Sequence, residues 1–346
     1  MCAYTACVVV ASGATAQAEP KLPDLIAWDS QPKCYMYCGF LDSSFVPGKV
    51  VYRFIGALPN VGAGPLEVRE VTHPDAIQDV YQRIYDTEGG MTEVLIGSFP
   101  NAAPISPRHL WLPGIAQYKL RTVTVGGGVG EILSTNDKTS MAVVDSTAYN
   151  KNLPGAPPIA FYNNVSAQIL GISIGYADVY GVGFEGQWAD ATGLPSGTYW
   201  LEVTVNPYGD IAEGRVVESD YANNSTRILV DLLPGDYNDD GTVNAADYTI
   251  WRNTLGQSVA VDTTGADGNG DGTIGQSDYA IWKTNFGKTI AGAGTGGASA
   301  IPEPAGVMLA VVALAACGLA ARGRRRIACI QLPTCPRPTN RTTARP

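Results

Sequence analysis

Two acidic, glycine-containing segments near the end of the chain carry oxygen-bearing side chains at regular spacing. The first runs from Asp236 to Asp247, and the second runs from Asp267 to Asp278, 31 residues later. A hard divalent cation takes oxygen ligands at loop positions 1, 3, 5, 7, 9 and 12, and a glycine at position 6 allows the sharp turn. Both segments follow this pattern, so the sequence predicts two calcium sites.

The predicted ligands are carboxylate and amide side chains together with one threonine carbonyl from each loop. In the first loop they are Asp236, Asn238, Asp240, Thr242, Asn244 and Asp247. In the second loop they are Asp267, Asn269, Asp271, Thr273 and Asp278, and a water can substitute at position 9, which is Gly275. Position 12 is Asp rather than the bidentate Glu of the standard loop, so the helix must approach more closely or the coordination number must fall. A solvated loop is the usual alternative for one such match, but two matches in register argue against it.

A similar helical pattern follows each loop, at 248–256 and at 279–287, and both patterns begin Tyr-x-Ile-Trp. The duplicated loop and helix over 234–288 resembles a dockerin type I domain, with EF-hand-like calcium loops. This resemblance implies a cohesin-like or surface protein as partner. Recognition in the family uses the start of each helix, here Ala245-Ala246 and Gln276-Ser277. Because the two pairs differ, the two faces need not bind one partner equivalently.

A second set of motifs lies upstream of the calcium loops. Gly-Ile-Ser-Ile-Gly-Tyr-Ala-Asp-Val-Tyr-Gly stands at 171–181, and Glu-Ser-Asp-Tyr-Ala-Asn-Asn stands at 218–224. Further motifs at 64–69, 80–85, 116–121 and 186–202 occur in the same order as in the bacterial branch of the lysyl oxidase family. Residues 22–230 therefore resemble a lysyl oxidase domain.

That resemblance implies oxidation of primary amines or peptidyl lysine by copper and a quinone built from a lysine and a tyrosine. The positions that match the quinone precursors are Lys138 and Tyr180. The alternatives are that Lys138 is an exposed lysine at a strand end and that Tyr180 is a half-buried tyrosine of the sandwich.

The copper ligands of the family are a His-x-His-x-His triplet, and the matching positions here are Pro107, His109 and Trp111. Only His109 matches, and the whole chain contains two histidines, the other being His73. A three-histidine copper site within one chain is therefore impossible by count. A substitute site from both histidines and a Cys, Met or carboxylate has no support in the spacing. We expect amine oxidation to be impaired.

Other function classes have less support. Four carboxylates could suggest a glycosidase, but they lie inside the family motifs; they are Asp178, Asp190, Glu218 and Asp220. The formal charge is −9, and it becomes −15 without residues 301–346, which hold seven arginines and one glutamate. Such an acidic body repels phosphate backbones, so we expect no nucleic-acid partner.

The composition favours a mostly β fold. The chain has 40 glycines and 23 prolines, which is typical of many turns rather than long helices. Alternating segments at 50–54, 119–123 and 199–205 are separated by turn residues and predict a β-sandwich followed by the small helical calcium module. Within the β domain, Cys34 and Cys38 would form a disulfide after export, whereas in the cytosol they would be free thiols or a metal pair.

Both ends of the chain carry segments typical of export. Residues 1–18 resemble a signal peptide without its basic start, and a true start codon elsewhere would explain this. A linker at 289–300 leads to 301–326, where Pro-Glu-Pro, an uncharged apolar run and an arginine cluster resemble the PEP-CTERM sorting signal. A plain membrane-spanning helix is the alternative. Residues 327–346 are expected to be a disordered tail.

The sequence thus predicts an exported surface protein, anchored to the membrane transiently or permanently at its C-terminus. It would carry a lysyl oxidase-like domain and a dockerin-like module that binds two calcium ions, whereas copper and the quinone are implied by the family alone. The alternative is a non-catalytic adhesion or scaffold protein that binds protein or glycan.

Overall fold

Antiparallel strands form the larger part of the molecule, and two short helices follow them. The computed structural model describes residues 18–28, 36, 39–75, 77–100, 112–140, 142–207, 215–259 and 265–290. All of these residues fall in one compact unit, Met1–Ala293. The predicted mostly β fold with a small helical module is confirmed.

The strands of the first half are β1 Pro20–Lys21, β2 Phe40–Asp42, β3 Val51–Arg53, β4 Gly56–Pro59, β5 Leu66–Thr72, β6 Ile77–Asp86, β7 Met91–Pro100 and β8 Leu112–Val123. They are followed by β9 Val129–Ser140, β10 Thr147–Ala148, β11 Ile169–Ile172, β12 Tyr176–Tyr180, β13 Trp188–Asp190, β14 Gly197–Val205 and β15 Ser225–Leu232. The helices are α1 Ala245–Thr254 and α2 Gln276–Asn285.

Four antiparallel sheets share one core. One sheet has the order β15-β14-β8-β9, and a second has the order β1-β6-β5-β11 with β7 paired to β6. Two smaller sheets have the orders β10-β12-β4 and β13-β3-β2. Their buried side chains form a single apolar cluster, in which Phe54 meets Tyr118 edge-to-face with ring centroids 4.8 Å apart.

The three predicted alternating segments all contain strands, but they differ in burial. In β14 and β15 buried and more exposed positions largely alternate, as one-sided burial of a pleated strand requires. In β3 all three residues are buried, because the strand lies between β13 and β2 and its polar residue Arg53 is enclosed. Half-burial is therefore wrong for this segment.

Both helices begin three residues before the predicted positions. The reason is the aspartate at loop position 12, which is also the third residue of the helix. The Asp247 side chain accepts a hydrogen bond from the backbone N–H of Asn244 at 2.7 Å, and the Asp278 side chain accepts one from Gly275 at 2.6 Å. These contacts satisfy N–H groups that a helix start leaves unpaired.

A buried ion pair lies between two neighbouring strands of the β13-β3-β2 sheet, β3 and β2. The Arg53 guanidinium pairs with the Asp42 carboxylate, and these side chains are 2% and 0% exposed. Arg53 also donates to the carbonyl oxygen of Val182 at 2.9 Å from Nε and 2.6 Å from Nη2, and it lies over the ring of Phe45. Every polar contact of this charge is thus made inside the protein.

Several predicted segments lie outside the described residues. They include nearly all of the predicted signal segment, both body cysteines Cys34 and Cys38, and everything after residue 290. The apolar run of 301–326 is therefore not part of the description. Among the residues that are described, neither helix is long and apolar enough to cross a bilayer.

We expect Asp42→Ala to lower the free energy of unfolding by about 3–5 kcal/mol, because it leaves the buried Arg53 charge without its partner. The measurement is urea unfolding of the full chain. Lys49→Ala is the matched control, since it breaks a solvent-exposed pair with Asp190 in which the lysine side chain is 40% exposed. That loss should stay below about 1 kcal/mol, and equal losses would contradict the role given to burial.

Candidate functional site

Lys138 and Tyr180, the two predicted quinone-precursor positions, are neighbours in the structure. Lys138 lies in β9 and Tyr180 ends β12, so they come from different sheets. The Lys138 Nζ atom is 4.7 Å from the centroid of the Tyr180 ring, and it donates to the carbonyl oxygen of Glu185 at 2.8 Å. The two side chains therefore share one site although they are 42 residues apart in the chain.

Neither alternative for these residues holds. Lys138 is 1% exposed and Tyr180 is 5% exposed, so the lysine is not a surface residue and the tyrosine is more than half buried. The lysine stem runs inward because Lys138 pairs across the ladder with Ala116 of the long strand β8, whose inner side belongs to the core.

Asp178 completes the polar part of this site. It lies two residues before Tyr180 on β12, so the two side chains leave the same face of the strand. The Tyr180 hydroxyl donates to Asp178 Oδ2, and the Ser146 hydroxyl donates to Asp178 Oδ1 at 2.9 Å. The sequence interpretation had placed Asp178 among structural carboxylates only, and its spacing from Tyr180 was the available signal.

Burial changes the acid–base behaviour of the site in two directions. Desolvation lowers the pKa of Lys138 to about 8, although the nearby Asp178 and Glu185 carboxylates oppose the shift. Desolvation also raises the pKa of Asp178 to about 6, against the hydrogen bonds from Tyr180 and Ser146. At neutral pH the Lys138 amine is therefore mostly charged with a minor neutral fraction, and the Asp178 carboxyl group gains a proton only at mildly acidic pH.

The remaining carboxylates of the glycosidase interpretation have separate structural contacts. Asp190 pairs with Lys49 at 2.8 Å, and Asp220 accepts from the backbone N–H of Ala222 in an exposed turn. Glu218 accepts from the backbone N–H of Leu25 at 2.7 Å, and burial raises its pKa to about 7. Each of these three carboxylates thus has a partner that gives it a structural role.

The histidines do not form the triplet that copper requires. His73 has its Nε2 atom 2.8 Å from Asp79 Oδ2, and its side chain is 42% exposed, while His109 lies outside the described residues. The chain has no third histidine. In the part of the chain that the structure describes, no histidine belongs to a cluster of three or more His, Cys, Asp and Glu side chains that could hold a copper ion. The residues present thus do not fit the copper centre of the resemblance.

The two calcium loops have closely matching internal hydrogen bonds. Asp236 accepts from the backbone N–H of Gly241 and Asp267 accepts from that of Gly272, both at 2.8 Å. In the next pair, Asp240 accepts from Thr242 and Asp271 accepts from Thr273, both at 2.9 Å. The ligand sets also draw on Asn side chains and a backbone carbonyl. An all-oxygen set of this kind fits a hard cation.

The carboxylates of each loop are crowded against one another. Burial raises the pKa of Asp236 and Asp267, and the position-12 aspartates Asp247 and Asp278 raise it further by like-charge repulsion. Asp247 and Asp278 are fully buried. A bound divalent cation would remove this repulsion, so the donor set fits calcium in both loops.

Two tryptophans connect the loops reciprocally. The indole N–H of Trp251 in α1 donates to the carbonyl oxygen of Gly275 at 2.8 Å, and that of Trp282 in α2 donates to Asn244 at 2.8 Å. Each acceptor is position 9 of the opposite loop. The sequence contained the signal, because Trp stands at the same place after both loops, but its role as a cross-connection required the tertiary structure.

The expected recognition pairs are accessible. Ala245, Ala246, Gln276 and Ser277 are all classed as exposed at the first turns of the two helices. Ser277 differs from its counterpart because its Oγ accepts a hydrogen bond from the Asn269 side chain at 3.1 Å. The two helix starts are thus both open, and they are chemically different.

The second calcium loop also contacts the β domain. The backbone N–H of Ser43, directly after β2, donates to the carbonyl oxygen of Asn269 at 3.1 Å. Gly270 has a φ of +74°, and a Cβ atom at this position would lie 2.4 Å from Asp42 Cγ. Only a glycine therefore fits between this loop and the Asp42–Arg53 pair.

These features define a β domain with a buried lysine–tyrosine pair, joined to a module of paired calcium loops. Comparison with known families agrees with both parts. Residues 140–236 match the family model "Lysyl oxidase", and residues 234–286 match "Dockerin type I domain". The chain thus contains a lysyl oxidase domain followed by a dockerin type I domain. Tyr180 lies within the first match, and Lys138 lies two residues before its start.

A curated relative matches a short part of the chain. Lysyl oxidase homolog 2 of Gallus gallus is 43% identical over 54 residues, which is 16% of this chain and 6% of that protein. The chain thus covers a small fraction of the relative's length.

We expect Gly270→Ala to weaken calcium binding at one of the two sites and to lower stability, because its methyl group must displace the buried Asp42. Gly256→Ala is the matched control, since Gly256 has a φ of +83° and open space around a Cβ atom. Both variants place alanine in the left-handed region, which costs about 1–2 kcal/mol. The additional loss of unfolding free energy in Gly270→Ala therefore measures the contact with Asp42. Calcium titration calorimetry and urea unfolding test this, and indistinguishable variants would refute the contact.

Proposed function

We propose that this chain is an exported surface protein whose calcium-loaded module docks onto a cohesin-like or other surface partner. Its lysyl oxidase-like domain retains the lysine–tyrosine pair but is impaired in copper-dependent amine oxidation. Export rests on the sequence patterns at 1–18 and 301–326, and the docking role rests on the dockerin match.

The proposed impairment rests on one observation: the lysine and tyrosine of the quinone match are both present, whereas the metal ligands are incomplete. Lys138 and Tyr180 are in contact, whereas the whole chain has two histidines for a triplet. Neither His73, which is bound to Asp79, nor any described carboxylate supplies a replacement group. The lysyl oxidase scaffold is therefore kept without a complete set of ligands for its metal.

A scaffold role for the β domain has one specific observation in its favour. The segment between β10 and β11 exposes three large apolar side chains, Ile159 at 76%, Phe161 at 70% and Val165 at 45%. Exposed apolar groups at one place are typical of contact surfaces. A non-catalytic adhesion or scaffold function that uses both the β domain and the calcium module is the second candidate.

We expect the full chain to bind two calcium ions, and Asp247→Asn to weaken one site by about tenfold or more, because calcium affinity depends on ligand charge. Calorimetric titration of the apo protein measures both sites. Asp220→Asn is the control, since Asp220 lies in an exposed turn of the β domain. Docking is tested by measuring the binding of a cohesin module in calcium and again after a chelator is added. Binding that is unchanged both by the chelator and by Asp247→Asn would contradict the proposal.

We expect the full chain, after incubation with Cu²⁺ and dialysis, to retain well below one copper ion per molecule. It should not react with phenylhydrazine, and it should release no peroxide with an alkylamine, since the ligand triplet is incomplete. Metal analysis, absorbance and a peroxidase-coupled assay measure these three properties. One tightly held copper ion per chain, with peroxide release that disappears in Lys138→Ala, would overturn the impairment.

A further inference from the structure

Lys138 lines a small cavity that the oxidase interpretation does not use. The cavity has a volume of about 160 Å³ and lies beside the end of β12. Its polar lining includes Lys138, Asp178 and Ser146, and its apolar lining includes Val144, Val165 and Phe184. A short, uncharged molecule with one polar end would match a cavity that is lined partly by polar and partly by apolar side chains.

Burial makes Lys138 a nucleophile near neutral pH. With a pKa of about 8, roughly a tenth of its amine is neutral at pH 7. For an ordinary lysine the neutral fraction is below about one in a thousand. Desolvated lysines of this kind attack carbonyl carbons and form imines.

Asp178 and Tyr180 supply the proton transfers that imine formation needs. The Tyr180 hydroxyl donates a hydrogen bond to Asp178, and burial raises the pKa of Asp178 to about 6. This pair can therefore take up and release a proton near neutral pH. The charged Asp178 also acts on Lys138, whose pKa it raises. Both groups line the same cavity as Lys138.

We propose that Lys138 binds short aliphatic aldehydes covalently as an imine, without any metal. The amine nitrogen forms a bond to the carbonyl carbon as the C=O π bond breaks, and one proton passes from that nitrogen to the oxygen, through the Asp178–Tyr180 pair, to give a neutral carbinolamine. The C–O bond then breaks as the hydroxyl leaves as water with a proton from the pair, the C=N bond forms, and the nitrogen returns its remaining proton to the pair. No electrons are gained or lost, so no oxidant is needed.

The cavity lining restricts the carbonyl compounds that fit. Val144, Val165 and Phe184 favour an alkyl chain, whereas the Asp178 carboxylate repels an anionic substrate. We therefore expect an aldehyde such as butanal to react and a keto acid such as pyruvate to react far more slowly. This function is independent of copper, and it differs from docking and from amine oxidation.

The test uses the full chain in calcium and a copper chelator, with butanal and sodium cyanoborohydride, followed by peptide mass mapping. Cyanoborohydride reduces each imine to a stable secondary amine, so the modified lysines can be counted. We expect Lys138 to be alkylated at least about tenfold faster than the exposed Lys151. The Lys138-to-Lys151 ratio within one molecule cancels the reagent's own pH dependence.

Variants separate reactivity from structure. Lys138→Arg should abolish the fast modification, whereas Lys151→Arg should leave it unchanged. Asp178→Asn should move the midpoint of the Lys138 pH profile below 8, because the carboxylate that raises its pKa is gone, and it should slow the dehydration step. Asp178, Glu185 and Tyr180 are the titratable groups that face this amine from β12 and the following loop. An unchanged profile would contradict the assignment of Asp178.

Three results would overturn the inference. The first is that Lys138 reacts no faster than Lys151 in the folded chain, and the second is that pyruvate reacts as well as butanal. The third is that peptide mapping finds Lys138 already cross-linked to Tyr180, which would show a quinone instead of an unmodified lysine. The third result also contradicts the impaired oxidase, whereas the first two leave that proposal unaffected, so the two failures are distinguishable.

Discussion

The buried pair between Arg53 and Asp42 links the parts of this molecule. Arg53 lies in β3, Asp42 ends β2, and the guanidinium also binds the Val182 carbonyl that follows β12. A charge this deep requires every one of these partners, because an unpaired buried ion costs several kcal/mol. The same aspartate lies against Gly270 of the second calcium loop. One desolvated charge thus fixes the relative positions of a sheet, a calcium loop and the segment that leads to Glu185.

Glu185 connects this network to the lysine site, since its backbone carbonyl oxygen accepts a hydrogen bond from the Lys138 side chain. This contact helps to explain why Lys138 can be buried: the residue pairs with Ala116 of the core strand β8, and its head group donates to a fixed backbone acceptor. Burial then decides the chemistry. Lys138, which the family resemblance matches to a quinone precursor, is in this chain a lysine of lowered pKa beside a carboxyl group of raised pKa.

The calcium module also contains buried charges that require partners, but here the charges are negative. Each loop concentrates three predicted aspartate ligands, at positions 1, 5 and 12, that accept hydrogen bonds from backbone N–H groups, but their mutual repulsion remains and favours a cation. The crossed indole hydrogen bonds of Trp251 and Trp282 make each loop depend on the helix of the other. Calcium binding at one loop therefore acts on a structure that both loops share.

The sequence by itself determined the features that depend on local spacing. The calcium loops could be recognised because their expected ligands follow each other within twelve residues, and the dockerin type I match covers both loops. The strands were predictable because burial on one face imposes a period of two. The count of histidines also limits copper binding without any structure. The helix starts were misplaced because Asp247 and Asp278 serve the loop and the helix together.

Only the tertiary structure decided which distant residues meet. Lys138 and Tyr180 lie on strands of different sheets, so no local pattern could show that the lysine is buried against the tyrosine ring. The Arg53–Asp42 pair, the fit of Gly270 and the crossed tryptophans likewise join segments that are separated along the chain. Their energies come from desolvation and close packing, which depend on neighbours that the sequence order does not specify.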